Sequence, residues 1–585
     1  MGPSRVVVIG AGPAGLAAAH ELVRRGVRPL VLERGETVGG IARTVVYRGY
    51  GFDVGGHRFF TKNVGIARLW GELLGEDLRR VSRLSRIYYN GRFFDYPLRL
   101  GNTLANLGPW ESLRIAGSYA WARLRPHPRE ETFEQWVTNR FGRRLYETFF
   151  RAYTEKVWGI PCSRIRADWA AQRIRGLSLA AAVANALVGT RGPKSLIDAF
   201  DYPRRGPGMM WERLRSRVEQ LEGTVLCGAE VFAIGHRHGR VTTVRYRKEG
   251  REVEIPVDRV ISTAPLARLP RLFTPSPPRE VLEAAAGLRH RAFVMVGLIV
   301  NRADLFPDQW IYVHSPEVRV GRIQNFGNWS PDLVPEEGRS GIGMEFFCDE
   351  GDELWTLPDR TLGELATSEL ERLGLARAED VVDHFVVRQP DAYPVYEEGY
   401  RERLETLRSW LDGLENFRTA GRSGMHRYNN MDHAMLTGIL AARNAYGARH
   451  DVWAVNEEQE YLEEDASGRR EVRVVLGRAL ARWDPVALGV AVGAVSGGGM
   501  LLATLWLVAK GGAVVGPTLG LLSQYFPGYR VSAPGALVGL GYGFAAGWAL
   551  GWGLARLRNR ALAWHVARVA RRAQREAARR LLDRA

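Results

Sequence analysis

Three glycines near the start of the chain, Gly10, Gly12 and Gly15, stand where a phosphate-bearing ligand could be held. They follow an apolar run, Val6 to Ile9, and lead into a stretch with helical periodicity. A second apolar run, Pro29 to Leu32, then ends on Glu33. Each residue type has a mechanical task. Gly10 permits a tight turn, Gly12 lets a pyrophosphate approach the backbone, and Gly15 lets helix and strand pack closely. The unpaired N–H groups of the helix start would face the anion. Glu33 is placed to accept hydrogen bonds from a ribose 2′-hydroxyl and would repel a 2′-phosphate, which favours NAD or FAD. Strand, turn, helix, second strand and acid fall in order within about 30 residues, so the reading does not rest on glycines alone.

The next motif, Gly39-Gly40-Ile41-Ala42-Arg43-Thr44, resembles the second glycine motif of FAD-binding oxidoreductases of the glutathione-reductase-like superfamily. The resemblance implies FAD as cofactor, with Gly39 and Gly40 letting the chain pass its phosphates and Arg34, Arg43 and Val231 as further contacts. Further stretches resemble a narrower group. Gly55-Gly56-His57-Arg58-Phe59-Phe60-Thr61, Tyr96-Pro97-Leu98, the segment 145–159 with Tyr153-Thr154-Glu155-Lys156-Val157-Trp158-Gly159, Gly421-Arg422, and Arg427-Tyr428-Asn429-Asn430-Met431-Asp432 come in the order seen in UDP-galactopyranose mutases. More loosely, the chain resembles the amine oxidase and protoporphyrinogen oxidase branch of the same fold. The resemblance covers about residues 4–450.

In the mutases the reduced flavin N5 is the nucleophile that attacks the anomeric carbon of a UDP-hexose, and no net redox change results. The resemblance implies a catalytic position for His57 beside the flavin, on the Gly55-Gly56 turn, and cofactor contacts from Gly421, Arg422, Asn430 and Met431. It implies substrate contacts from Tyr153, Trp158, Arg173, Arg175, Arg427 and Tyr428, with Trp158 stacking on the base and arginines clamping phosphate. Departures stand beside the matches. His426 replaces a tyrosine, Asn430 replaces an aspartate, and His57-Arg58-Phe59-Phe60 replaces His-Ile-Phe-His. Together with two long apolar windows near the C-terminus, which are not part of the mutase pattern, these point to a relative acting at flavin N5 on a different glycosyl substrate, a nucleotide-linked or polyprenyl-phosphate-linked sugar. The alternative is a net oxidase or dehydrogenase of a porphyrinogen, polyprenoid or amine.

Composition narrows the field. The 585 residues contain three cysteines, Cys162, Cys227 and Cys348, without CxxC or Cys/His ligand spacing, so neither a disulfide framework nor a metal site is expected. The net charge of +17 could suggest nucleic acid, but only five of the 81 basic residues are Lys, a bias typical of genome composition. After residue 555, ten arginines face two acids, about half of that net charge. Nucleic acid is therefore not an expected partner. With the first apolar strand starting at Val6, no signal peptide is expected.

Two windows, between Asp484 and Lys510 and between Arg530 and Arg556, carry no charge, and each is long enough to cross a hydrocarbon core of roughly 30 Å. Gly489, Gly493 and Gly497 in the first, and Gly535, Gly539, Gly543, Gly547 and Gly551 in the second, form four-residue stripes that should pair with each other or with a second copy in a homodimer. Arg478, Arg482, Arg556, Arg558 and Arg560 flank the outer ends, whereas the connecting loop has Lys510 and Arg530. The expectation is a two-span protein of the inner membrane with the FAD domain and both termini cytoplasmic. Leu562, Val566, Val569, Ala573, Ala577 and Leu581 recur at helical spacing among arginines, as in an amphipathic helix on an anionic leaflet.

The fold class expected is α/β, a Rossmann-type FAD-binding domain with an inserted α+β substrate domain and a C-terminal transmembrane hairpin. The FAD-binding domain would comprise 1–84, 206–289 and 396–450, and the substrate-capping domain 85–205 and 290–395, the first insertion helical and the second stranded. A tether at 451–484, the hairpin at 485–557 and a separate basic helix at 558–585 would follow.

Overall fold

A computed structural model describes residues 5–96, 98, 100–167, 199–456, 484–512 and 515–582, the last stretch as backbone alone from residue 561. The chain forms two compact units, Met1–Ala466 and Ser467–Ala585.

The first unit is built on a five-stranded sheet in the order Phe417–Thr419, Arg259–Ser262, Val6–Ile9, Pro29–Leu32 and Thr224–Leu226. Every pairing is parallel. The central Val6–Ile9 strand is buried throughout, as a continuous apolar strand covered on both faces should be. The Pro13–Val23 helix is buried at ten of its 11 residues, because it packs against the helices Gly208–Gln220 and Met431–Ala445 as well as the sheet. Small residues make that crowding possible. A Cβ on Gly15 would run into the Gly10 carbonyl, and one on Gly438 into the Ala14 carbonyl.

A seven-stranded sheet runs Val381–Pro394, His290–Val300, Ser340–Cys348, Arg322–Asn325, Trp310–Val313, Ser85–Tyr89 and Arg92–Asp95. Its last two strands belong to the stretch read from sequence as helical, so the first insertion begins as sheet and only then turns helical. The strand pair joins the second insertion through a parallel pairing of Trp310–Val313 with Ser85–Tyr89, a non-local contact that local periodicity does not encode. Helices Pro109–Leu124 and Phe133–Phe141 follow, then a π-helical turn, Tyr146–Arg151, that leads into the helix Ala152–Trp158. A four-stranded sheet contains Glu230–Arg237, Arg240–Lys248, Arg251–Pro256 and Phe273–Thr274.

The second unit has two helices long and apolar enough to cross a membrane, Pro485–Lys510 with hydropathy 1.9 and the 533–560 stretch with hydropathy 1.2. Asp484 caps the first, accepting from Val486 N at 2.8 Å and Ala487 N at 3.2 Å. The glycine stripes face each other within the chain. A Cβ on Gly543, Gly547 or Gly551 would stand 3.0, 2.9 or 3.0 Å from the Cα of Gly497, Gly493 or Gly489. Gly543, Gly547 and Gly551 thus pair with the first stripe inside one chain, while Gly535 and Gly539 lie against Arg530 and the Tyr529 ring. The expected break near residue 558 is also absent: Ala533–Leu582 is one helix of 50 residues. No glycine or proline interrupts the run after Gly553, and the helix continues through Asn559.

Candidate active site

A cavity of about 660 Å³ lies at the carboxyl ends of the parallel strands, walled by Ile9, Gly10, Leu32, Glu33 and Thr263. Two helices begin at its edge. Gly12, Pro13 and Ala14 open the first helix, and Asn430, Met431 and Ala434 open the Met431–Ala445 helix. Their free N–H groups make the cavity attractive to a diphosphate. At the far end both carboxylate oxygens of Glu33 are fixed, accepting from Ala11 N at 2.7 Å and Gly35 N at 2.8 Å.

Of the residues expected to hold the cofactor, Gly10, Gly12, Glu33, Arg34, Gly40, Arg43, Val231, Gly421, Arg422, Asn430 and Met431 line this cavity. Gly15, Gly39, Gly55 and Gly56 do not line it and shape the backbone behind it. Gly39 has φ 102°, a left-handed conformation suited to glycine, and its N–H donates to Ala11 O at 2.9 Å. Gly56 lies against the Trp310 ring, leaving no room for a Cβ. Arg43 donates to Gly40 O at 2.8 Å and to Gln389 Oε1 at 2.7 Å.

His57 also lines the cavity. Its Nε2 sits 2.8 Å from Ile41 O and 2.9 Å from Val54 O, so this nitrogen carries the proton and donates to both. Burial pushes the ring's pKa down to about 4; Arg422 and Arg322 add to the effect, and the two backbone hydrogen bonds oppose it. The imidazole is neutral near pH 7, with Nδ1 left as an acceptor.

Beside the cavity lies an arginine–tyrosine cluster. Arg322 donates to Tyr153 Oη at 2.8 Å, Tyr393 Oη at 3.0 Å and Glu345 Oε2 at 3.2 Å. The Tyr393 and Tyr428 rings are stacked, with centroids 5.8 Å apart and planes 15° from parallel. The Arg422 guanidinium lies 4.5 Å from the Tyr428 ring centroid and donates to Asn429 O at 3.0 Å and Ala392 O at 3.3 Å. Burial raises the Tyr393 pKa to about 12, so its hydroxyl stays a donor. Trp158 is buried in the same aromatic wall, 6.4 Å from Tyr393 and 6.5 Å from Tyr396.

Arg427 does not line the cavity; its guanidinium donates to the Trp453 carbonyl and to Asn456 O at 3.4 Å. Arg173 and Arg175 lie outside the described residues. Sequence reasoning missed Arg322, Glu345 and Tyr393, and also Arg268, Gln389 and Asp391, which line the cavity. Arg268 pairs with Asp391 at 3.1 Å and with Glu350 at 2.6 Å. The signal available for Arg268 is its place three residues after Pro265, in the turn that follows the returning strand. Among the described residues no group of His, Cys, Asp and Glu is arranged to hold a metal ion.

A family model described as flavin containing amine oxidoreductase matches residues 13–445. A probable UDP-galactopyranose mutase of Klebsiella pneumoniae is 26% identical over 177 residues, which span 29% of this chain and 44% of that relative. The crystal structure of reduced UDP-galactopyranose mutase superposes with a TM-score of 0.69 at 22% identity, covering 78% of this chain and 98% of the other. A putative protoporphyrinogen oxidase from Exiguobacterium sp. 255-15 gives 0.58 at 18%, with coverage of 76% and 98%. A putrescine oxidase variant gives 0.53 at 17%, again with coverage of 76% and 98%. These structures share the mixed α/β flavoprotein fold. The cavity fits FAD: two helix N-termini for the diphosphate, an anchored carboxylate for the ribose, and Ile41 and Met431 as apolar wall. The chain belongs to the flavin containing amine oxidoreductase family and is an enzyme with FAD as its cofactor.

Proposed function

We propose that this enzyme acts on a sugar carried by a nucleotide or a polyprenyl phosphate, by redox-neutral, mutase-like group transfer, while anchored in the membrane. The observation that carries the reading is the proximity of Arg322 and Arg422 through Tyr393, at the edge of the FAD cavity. Glu345 pairs with Arg322, whereas Arg422 has only carbonyl acceptors among its described hydrogen bonds. The cluster therefore keeps an excess positive charge that suits a phosphate or diphosphate. The same charge disfavours a cationic amine as substrate.

Bound FAD supplies a ring nitrogen that can act as nucleophile or accept hydride. The side chains do the rest. Arg322 holds the phosphoryl oxygens and, with the positive charge of Arg422 on the cofactor side, stabilises the charge that grows on a departing diphosphate. Tyr153, Tyr393 and Tyr428 orient the guest and exclude water, with the Tyr393 hydroxyl as a donor. Neutral His57 shapes the wall and offers Nδ1 as an acceptor. Trp158, Arg173 and Arg175 remain proposed contacts for base and phosphate, and His426 and Asn430 proposed sources of a changed specificity.

The proposed organisation keeps 1–84, 206–289 and 396–450 as the FAD domain and the two insertions as its cap. The helices Pro485–Lys510 and 533–560 would span the inner membrane, with the Arg-rich flanks and the FAD domain on the cytoplasmic side. Such an anchor would bring the site near lipid-linked substrates. Titration of reduced protein with UDP-galactose and with a polyprenyl-phosphate sugar tests the substrate class. One of them should perturb the flavin absorbance saturably. If neither does, and an amine or porphyrinogen instead bleaches the flavin of the oxidised protein, the oxidase reading takes its place.

A further inference from the structure

The Pro109–Leu124 helix buries one face, and among the described residues its other, apolar face is left uncovered. On the inner side Ile115 and Ala122 are buried, Ser118 Oγ accepts from Arg144 N at 3.0 Å, and Glu111 pairs with Arg144. On the outer side Trp110, Leu113, Trp121 and Leu124 are 73, 66, 59 and 78% exposed. At about 100° per residue these four fall within an arc of about 80°, and Glu111, Ile115, Ser118 and Ala122 within a separate arc of about 60°. Gly117, inside the outer arc, faces open space. The result is a bare stripe about 21 Å long, with a tryptophan in the first turn and another in the last. Single exposed apolar residues are ordinary; a contiguous row with two tryptophans marks a contact surface.

We propose that this stripe docks on the surface of an anionic bilayer, with the helix lying in the plane of the headgroups. The proposal rests on the membrane reading given above, since the same chain carries two helices of membrane-crossing length. Tryptophan concentrates at such interfaces because its ring is apolar and its N–H is polar. The rim is basic. Arg114 flanks the stripe, 3.4 Å from the helix's one acid, Glu111, which also pairs with Arg144 on the inner face, and Arg125 follows the helix with its guanidinium 4.9 Å from the Trp121 ring centroid. Long arginines beside an apolar stripe can lay their stems along it and reach lipid phosphates. A second copy is a poorer occupant, because self-pairing through this face would bring the rim arginines together without acids to meet them.

Docking here would reach the site through one layer of packing. The helix rests on the 142–145 segment so closely that a Cβ on Gly142 would stand 2.7 Å from Tyr119 N. That segment continues through the π-helical turn into the helix bearing Tyr153 and Trp158.

The test uses the full-length chain carrying Cys227→Ser and a nitroxide at Leu113→Cys or at Leu124→Cys, reconstituted into vesicles containing phosphatidylglycerol. Collision rates with oxygen and with a water-soluble nickel chelate are compared with those in detergent. Arg279→Cys is the exposed reference and Val495→Cys, on the Pro485–Lys510 helix, the reference for a spanning segment. At Leu113→Cys and Leu124→Cys the nickel collision rate should fall several-fold and the oxygen rate should rise, more weakly in pure phosphatidylcholine. If both labels stay water-like while Val495→Cys reports lipid, the docking proposal fails and the spanning hairpin stands. If Val495→Cys is water-like too, the membrane reading fails and takes the proposal with it. Labels shielded from both reagents in vesicles and in detergent would mean that protein covers the face, which also overturns it.

Discussion

Nε of Arg322 donates to the Tyr153 hydroxyl at 2.8 Å, joining the seven-stranded sheet to the helix that also carries Trp158. The guanidinium is held in place by the fully buried Glu345, at 3.2 Å. Arg322→Lys keeps the charge and loses the fork, so UDP should bind about 10–100-fold more weakly by calorimetry, with FAD content unchanged. Glu345→Ala leaves a buried charge unpaired and should cost about 3–5 kcal/mol in chemical denaturation.

His57 gives a pH prediction with a definite sign. Its pKa falls from about 6.5 unfolded to about 4 folded, so between those values the unfolded chain binds more protons. Its contribution to stability is complete above pH 6.5 and is lost as pH falls towards 4. The His57→Gln variant should lose about 2–3 kcal/mol less than the parent across that window, read as the difference between their denaturation midpoints. Activity between pH 7 and 9 should show no titration of this ring.

Lys156 is a positioning residue rather than a contact. Its ammonium donates to the carbonyls of Val313, Ser315, Val318 and Val320 at 3.3, 3.0, 2.9 and 2.9 Å. This clamps the 313–320 loop to the helix of Tyr153, whose ring stacks on His314 at 4.6 Å. Lys156→Met leaves those acceptors unmet and should cost about 2–4 kcal/mol. It should also weaken UDP binding while the flavin stays bound, as measured by fluorescence titration.

The glycine seam of the second unit predicts a contrast between neighbours. Gly547→Leu should separate the two apolar helices, because a Cβ there already stands 2.9 Å from Gly493 Cα. Gly541→Leu, at a position with open space around it, should leave the pair intact. Distances between spin labels on the two helices in detergent would separate the cases.

What could be read from sequence was local. The turn at Gly10 to Gly15, the acid at Glu33, the second glycine pair and the neighbourhood of His57 sit within one short run, where spacing dictates geometry. The glycine stripes likewise gave the helix faces, though not whether they met inside one chain. Arg322, Glu345 and Tyr393 were invisible because they converge from three strands of a sheet, Arg322–Asn325, Ser340–Cys348 and Val381–Pro394. Arg427 belongs to the motif that carries the resemblance, but where its guanidinium turns, to the Trp453 and Asn456 carbonyls, is set by a segment 26 to 29 residues on. The neutrality of His57 comes from burial, helped by Arg422 and Arg322 and opposed by the two carbonyls, none of which motif spacing records.

The most direct test of a redox-neutral FAD enzyme counts electrons. Protein reduced once under anaerobic conditions should convert its phosphorylated sugar over many turnovers while the absorbance of the reduced flavin stays constant. Loss of one flavin reducing equivalent pair per product formed, or a purified protein that neither contains nor takes up flavin, would contradict it.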